Sequence, residues 1–350
     1  MKKLIISLCT ALALAACGQD DANTIKIGAV LPMTGSNAQF AQAMKVGIEA
    51  AVADKTNTKY KYKVIFEDGQ QQAAKSVSAA QKLVSADKVK ALFSHLTAIG
   101  RAIAPIAEGA NILNINATLE TENAEPMGKT TFFQGPSVES YHATTIRAMK
   151  ANKVKTAAII AQNVGVACPG AHVLGNKLNA TGINATVECF NPGERDFKTI
   201  ITKYNNVDAY MIAGFPPETD ILLRALYASG VEYNQIYGQG IDNGTDLSLY
   251  EETNCVAPTS GTPAFIARIS KDYTLSNMNL TSAAYDLITL TIDAFEAVGP
   301  DNMDAVYDYI KQHATRNCMS GKCELKPNGF IVNEAEWRTY KDGKPIVIAK

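Results

Sequence analysis

Two hydrophobic rhythms alternate along this chain. Residues 25–31 form a short apolar run that ends at Pro32, as in a strand buried on both faces. A loop with Pro32, Thr34 and Gly35 follows, in which Ser36 or Asn37 can cap a helix by accepting from its unsatisfied N–H groups. Phe40, Met44, Ile48 and Ala51 then recur every three or four residues, one face of a helix. The unit is strand, polar loop, helix, and it repeats. Residues 62–67, 89–93 and 112–115 read as further strands. Ala73, Val77, Ala80 and Val84, then Ile99, Ile103 and Ile106, mark the helices between them. A second run begins near Thr156, with strands at 157–161, 187–190, 209–213 and 235–237 and a helix carrying Leu222, Leu223 and Leu226. A long apolar helix at 283–298 follows. Such alternation predicts two α/β halves, each a parallel, doubly wound sheet. In open sheets of this kind, ligands bind in the loops at the carboxyl ends of the strands. Here those loops include Ser94-His95-Leu96-Thr97-Ala98, Asn116-Ala117-Thr118, Gln162-Asn163-Val164-Gly165, Phe215-Pro216-Pro217-Glu218 and residues 238–242.

Length and charge agree with this division. At 350 residues two domains are expected. A formal charge of −1, with no basic run, argues against a nucleic-acid partner. The amino terminus reads as a targeting segment. Lys2 and Lys3 precede a short apolar stretch at 4–14, too short for a stable membrane span. It ends in Leu14-Ala15-Ala16-Cys17, which looks like a bacterial lipobox, with small residues at the cut and a thiol to take the lipid. The bland alternative is an ordinary secretory signal with an incidental cysteine. On the first reading residues 1–16 are a lipoprotein signal, 17–23 a tether, and the body is periplasmic, held to a membrane through Cys17 alone.

Five of the seven cysteines remain after Cys9 leaves with the signal and Cys17 is lipidated. Export permits disulfides, and the odd count leaves one thiol over. Cys168 and Cys189 fall at the same edge of neighbouring parallel strands. Cys318 and Cys323 flank a turn. These two pairs are expected to bridge, leaving Cys255. Two thiols without a second pair or a nearby histidine do not fill a tetrahedral metal site, so neither a metal nor another cofactor is expected. Catalysis finds no support either. There is no H-E-x-x-H, G-x-S-x-G or Walker loop, and Gly238-Gln239-Gly240 with Gly244 misses the dinucleotide spacing. His95 reads as a packing or hydrogen-bonding residue.

The run I-G-A-V-L-P-M-T-G at 27–35, Phe40 and the helix after it resemble the amino terminus of the leucine/isoleucine/valine-binding-protein family. These are type I periplasmic solute-binding proteins of branched-chain amino-acid ABC transporters, and the resemblance covers nearly all of the mature chain. It implies two lobes joined by three hinge crossings, near residues 136–139, 257–261 and 324–329. Lobe 1 would then comprise 24–137 plus 259–324, and lobe 2 138–258 plus 325–350. Family members hold a ligand's carboxylate and ammonium with two lobe 1 loops. Carried over, these are Leu96, Thr97 and Ala98, where Ala98 stands at a serine position, and Asn116, Ala117 and Thr118, where the threonine is kept. Phe40 falls on a pocket aromatic. In lobe 2, Val164 replaces a residue that is often aromatic, Phe215 takes the aromatic position, Gly240 takes the glutamate position, and Asp242 is the nearest acid. Either Asp242 meets an ammonium, or the ligand lacks one.

The resemblance, together with the lipobox, therefore implies a lipid-anchored, non-enzymatic binding protein that traps an amino acid or related small carboxylate for an ABC permease. A rival with the same fold is a ligand-free or ligand-sensing regulatory lipoprotein, such as an activator of a cell-wall synthase.

Overall fold

The computed structural model describes residues 23–35, 37–239, 246–275 and 277–349. The first unit forms as read. β1 (Thr24–Leu31) leads into α1 (Ala38–Asp54), where Met44, Ile48 and Ala51 are sealed and Phe40 is half-buried. Asn37 sits at the helix start without accepting a capping bond; its amide donates to Gln71 instead. Then come β2 (Lys61–Asp68), α2 (Ala73–Ser85), β3 (Ala91–His95), α3 (Thr97–Gly109), β4 (Leu113–Ala117) and β5 (Thr131–Pro136). Helix α2 is rotated from its expected face. It buries Ser76, Ala79, Ala80 and Leu83, while Ala73 is exposed and Val77 and Val84 are half-buried.

The chain then builds the other lobe: α4 (Val138–Ala151), β6 (Thr156–Gln162), α5 (Ala167–Ala180), β7 (Asn184–Phe190), α6 (Lys198–Lys203), β8 (Ala209–Ala213), α7 (Glu218–Ala228), β9 (Ile236–Gln239) and β10 (Asn254–Pro258). It returns through α8 (Pro263–Ile269), α9 (Met278–Val298), α10 (Met303–His313), β11 (Arg316–Cys318), β12 (Gly321–Leu325) and β13 (Phe330–Asn333). It ends in β14 (Ala335–Lys341) and β15 (Lys344–Ala349).

Two sheets result, ordered β11-β12-β13-β5-β4-β3-β1-β2 and β15-β14-β10-β9-β8-β6-β7. Their centres are parallel, as the alternation predicts. Their outer edges are antiparallel, through β11–β12–β13 and β10–β14–β15. Polar, uneven strands such as Arg316–Cys318 carry no clear rhythm, so these edges were not legible. The first core packs α1, α9 and α10 together against β1, β3 and β4; Phe93, Ile27, Ile48, Ile288 and Phe295 are fully buried.

The third crossing is corrected. It was expected near 324–329, but Phe330–Asn333 still pairs in parallel with β5 in the first sheet. The chain changes lobes at Glu334, between Asn333 and Ala335. The boundary drawn at 325 therefore cuts through the first lobe. Phe330 decides this by stacking on Phe133, with ring centroids 4.8 Å apart. Gly329, expected in a hinge, lies in a local turn closed by the Lys326 N–H on the Phe330 carbonyl at 2.7 Å.

The expected cysteine pairs meet. Cys168 and Cys189 have Cα atoms 5.9 Å apart, and Cys318 and Cys323 6.0 Å, both within bridging reach. Cys255 stays a thiol, 1% exposed in β10. Residues 1–22, and with them Cys17 and its signal, lie outside the described residues. Among the described residues, no helix is long and apolar enough to cross a membrane.

Candidate functional site

A cleft of about 1290 Å³ separates the two lobes, walled by loops at the carboxyl ends of both sheets. Of the expected site residues, Phe40, Leu96, Thr97, Ala98, Ala117 and Thr118 line it from the first lobe. Val164 and Phe215 line it from the second. Asp242 and Gly240 lie outside the described residues.

The first-lobe wall is built on an unusual backbone turn. Leu96 links β3 to α3 at φ 73° and ψ 141°, a positive φ that costs a branched side chain free energy. Three hydrogen bonds hold it there. The Leu96 N–H donates to the Ala117 carbonyl at 3.1 Å. The Leu96 carbonyl accepts from the Gly100 N–H at 2.9 Å and from Asn116 Nδ2 at 3.1 Å. This explains Asn116, which sequence placed in the pocket. It does not line the cleft. It is fully buried in β4, also donates to Ser94 Oγ at 2.8 Å, and props the turn from beneath. Gly100 makes room for it: a Cβ there would come within 2.7 Å of the Asn116 side chain.

The consequence is a helix start aimed at the cleft. No side chain caps α3. The N–H groups of Thr97, Ala98 and Ile99 have no acceptor among the described residues. Such a start, with the helix dipole behind it, suits an anion. The Thr97 and Thr118 hydroxyls lie beside it, 2.8 Å from each other. Both also reach the Leu119 carbonyl, at 3.2 and 3.3 Å. Between them they have two protons; one spans the pair and the other goes to Leu119. Thr118 is fixed because β4 and β5 are locked around it. Its N–H donates to the Gln134 carbonyl at 2.8 Å, and a Cβ on Gly135 would sit 1.5 Å from its carbonyl oxygen.

His95 stands on the same wall, half-buried, with Phe40 edge-on at 6.3 Å. Its Nδ1 lies 2.8 Å from the Ala117 carbonyl. Burial pushes the ring down to about 4, against the opposing pull of that carbonyl, so it is neutral at ordinary pH.

The second-lobe wall carries Phe215, 45% exposed, whose N–H donates to Gln162 Oε1 at 3.0 Å. Sequence reasoning missed three of its polar groups. His142, 2% exposed on the second turn of α4, is also pushed down to about 4 by burial, with Lys177 adding to the effect. Asp220 on α7 accepts from the Tyr250 hydroxyl at 2.7 Å and is raised by burial. Arg338 on β14, 5% exposed, donates to Ser260 Oγ at 2.9 Å and lies 3.7 Å from Glu336. None belongs to a local motif. For Asp220 the only clue was a polar residue in a helix's first turn, and for His142 a polar residue in the second.

Comparison with known proteins agrees with the geometry. The profile of the family described as periplasmic binding protein matches residues 24–330. The Leu/Ile/Val-binding protein BraC3 of Rhizobium johnstonii is 26% identical over 309 residues, covering 85% of this chain and 82% of that protein. A leucine-binding protein from Thermotoga maritima superposes with a TM-score of 0.78 at 20% identity, over 93% of this chain and 98% of its own. A solute-binding protein from R. palustris, solved with 4-hydroxybenzoate, gives 0.79 at 20% identity, over 93% and 96%. At such identity the structural likeness speaks for the fold alone. With the profile matched across both lobes, the chain belongs to the periplasmic binding protein family.

Proposed function

We propose that this protein is exported, lipid-anchored through Cys17, and captures a small carboxylate, amino acids included, for an ABC permease. One observation carries the ligand class. The Thr97, Ala98 and Ile99 N–H groups have no acceptor among the described residues, and they start a helix whose first two residues line the cleft beside two hydroxyls. A carboxylate there receives charge-assisted bonds, and the Thr118 hydroxyl joins by turning away from the Leu119 carbonyl. Phe40 and Phe215 cover it from opposite lobes. Because a ligand touching both walls does so only when they approach, its binding favours closure, and the permease reads the closed shape. The Cys168–Cys189 and Cys318–Cys323 pairs are disulfides formed on export. Among the described residues, no nucleophile–base pair in the cleft supports an enzyme.

Thermal-shift screening with amino acids, hydroxy acids, aromatic carboxylates and amides tests this reading. A saturable rise in melting temperature with a carboxylate supports it. No shift across the panel favours the regulatory lipoprotein, for which the alanine at position 98 speaks.

A further inference from the structure

The first-lobe wall offers more than a carboxylate site. The Ala117 carbonyl can only accept, so His95 Nδ1 must carry the proton that joins them at 2.8 Å. In the neutral ring, Nε2 is then a bare acceptor. It has no partner among the described residues and opens on the cleft that His95 lines. The acids of the cleft are already engaged. Glu120 accepts from the Thr121 N–H and faces Arg101, Glu218 accepts from the Gly193 N–H, and Asp220 accepts from Tyr250. The Thr97 and Thr118 protons are shared with each other and Leu119. The uncommitted groups beside this helix start therefore include three N–H donors and, two residues before the helix, one neutral acceptor, His95 Nε2; Asn333 Oδ1 on β13 is another lining acceptor without a partner among the described residues.

We infer that His95 Nε2 is a specificity-determining acceptor, reading the substituent on the carbon next to the ligand's carboxylate. This rests on the carboxylate reading above. The ligand it selects bears a hydrogen-bond donor there, an ammonium or a hydroxyl. A 2-oxo acid would place oxygen lone pairs against the nitrogen lone pair, and an unsubstituted acid would leave the nitrogen dry and unpaired. Leaving such an acceptor unmatched is worth about 10- to 100-fold in affinity. His95 is suited to this task because its tautomer is set by the strand behind it. It also stays uncharged, so a neutral hydroxyl and a cationic ammonium are both acceptable partners.

The test is calorimetry with four acids of one skeleton: leucine, 2-hydroxy-4-methylpentanoate, 4-methyl-2-oxopentanoate and 4-methylpentanoate. The same series on a phenylpropanoate skeleton runs beside it. In the parent, the amino or the hydroxy member should exceed the oxo and unsubstituted members by about 10- to 100-fold, and which of the two leads identifies the donor. His95→Phe keeps the ring against Phe40 but removes the acceptor, and the ratio should fall towards one. His95→Gln retains a carbonyl acceptor and should recover part of it. An undiminished ratio in His95→Phe overturns the inference and leaves the carboxylate site standing. A parent with no preference for a donor-bearing acid overturns it too, without any variant having to fold. If the parent binds neither series, the inference and the carboxylate reading both fall.

Discussion

The Ser320 hydroxyl donates to the buried Asp286 carboxylate at 2.6 Å, tying the turn between β11 and β12 to helix α9. The same carboxylate accepts from the Ser320 and Met319 N–H groups at 2.9 and 2.7 Å. Ser320 in turn touches two strands that lead into lobe crossings. Its hydroxyl accepts from Gln134 Nε2 at 2.9 Å, and its carbonyl accepts from Asn333 Nδ2 at 3.3 Å. Asp286 is 3% exposed, and burial raises its proton affinity against those donors. A buried carboxylate is tolerable only while such donors surround it. This small turn is therefore an anchor for the hinge.

Ser320→Ala should cost about 1.5–3 kcal/mol, the range for a hydrogen bond to a charged group. Asp286→Ala, which strands three donors, should cost at least as much. Urea unfolding of both variants checks this. A Ser320→Ala protein as stable as the parent would show that the contact is incidental.

The two cysteine pairs should separate by loop length. By chain entropy, closing the 21-residue separation of Cys168–Cys189 is worth about 3 kcal/mol. The 5-residue separation of Cys318–Cys323 is worth about 2 kcal/mol. Non-reducing peptide mapping comes first; any peptide joining Cys255 to another cysteine contradicts the pairing. Double serine variants then give the order of the two losses.

Thr118→Val should weaken carboxylate binding by about 10- to 100-fold, because a hydrogen bond to a charged group is lost. Thr97→Val should act in the same direction, since it removes the hydroxyl 2.8 Å away that holds Thr118 Oγ1 in place. Calorimetry with whichever ligand the thermal screen finds is the check. Unchanged affinity in Thr118→Val would move the head group away from these loops.

Stability should fall on acidification below neutrality. His95 and His142 titrate from 6.5 when unfolded to about 4 when folded. A depressed folded value means the unfolded chain binds more protons in that window, so stability rises with pH between about 4 and 6.5. Each ring contributes at most about 3 kcal/mol, fully present above 6.5 and lost towards 4. Urea unfolding at stepped pH reads the slope. His142→Gln, which cannot titrate, should flatten it by about half; an equal slope in that variant refutes the assignment.

Cys17→Ala should abolish lipidation. Metabolic labelling with a fatty acid decides it, and equal label on parent and variant would exclude the anchor.

What the sequence determined by itself were the features written in short range. The central strands and the helices between them showed because apolar spacing of two or nearly four residues is local. Strand 209–213 falls on its observed bounds for this reason. The loops at the strand ends followed, and with them Thr97, Ala98 and Thr118 on one wall. What only the tertiary structure decided depends on partners far along the chain. Asn116 turned away from the cleft because Leu96, twenty residues earlier, needed its carbonyl held. The third crossing moved to Glu334 because Phe330 found Phe133, almost two hundred residues back. Arg338 entered the cleft from the last hairpin, and no local pattern could announce it. His95 was visible as a letter in a loop, but its chemistry was not. Whether a histidine donates or accepts depends on what meets its other nitrogen, and here that is the carbonyl of the neighbouring strand.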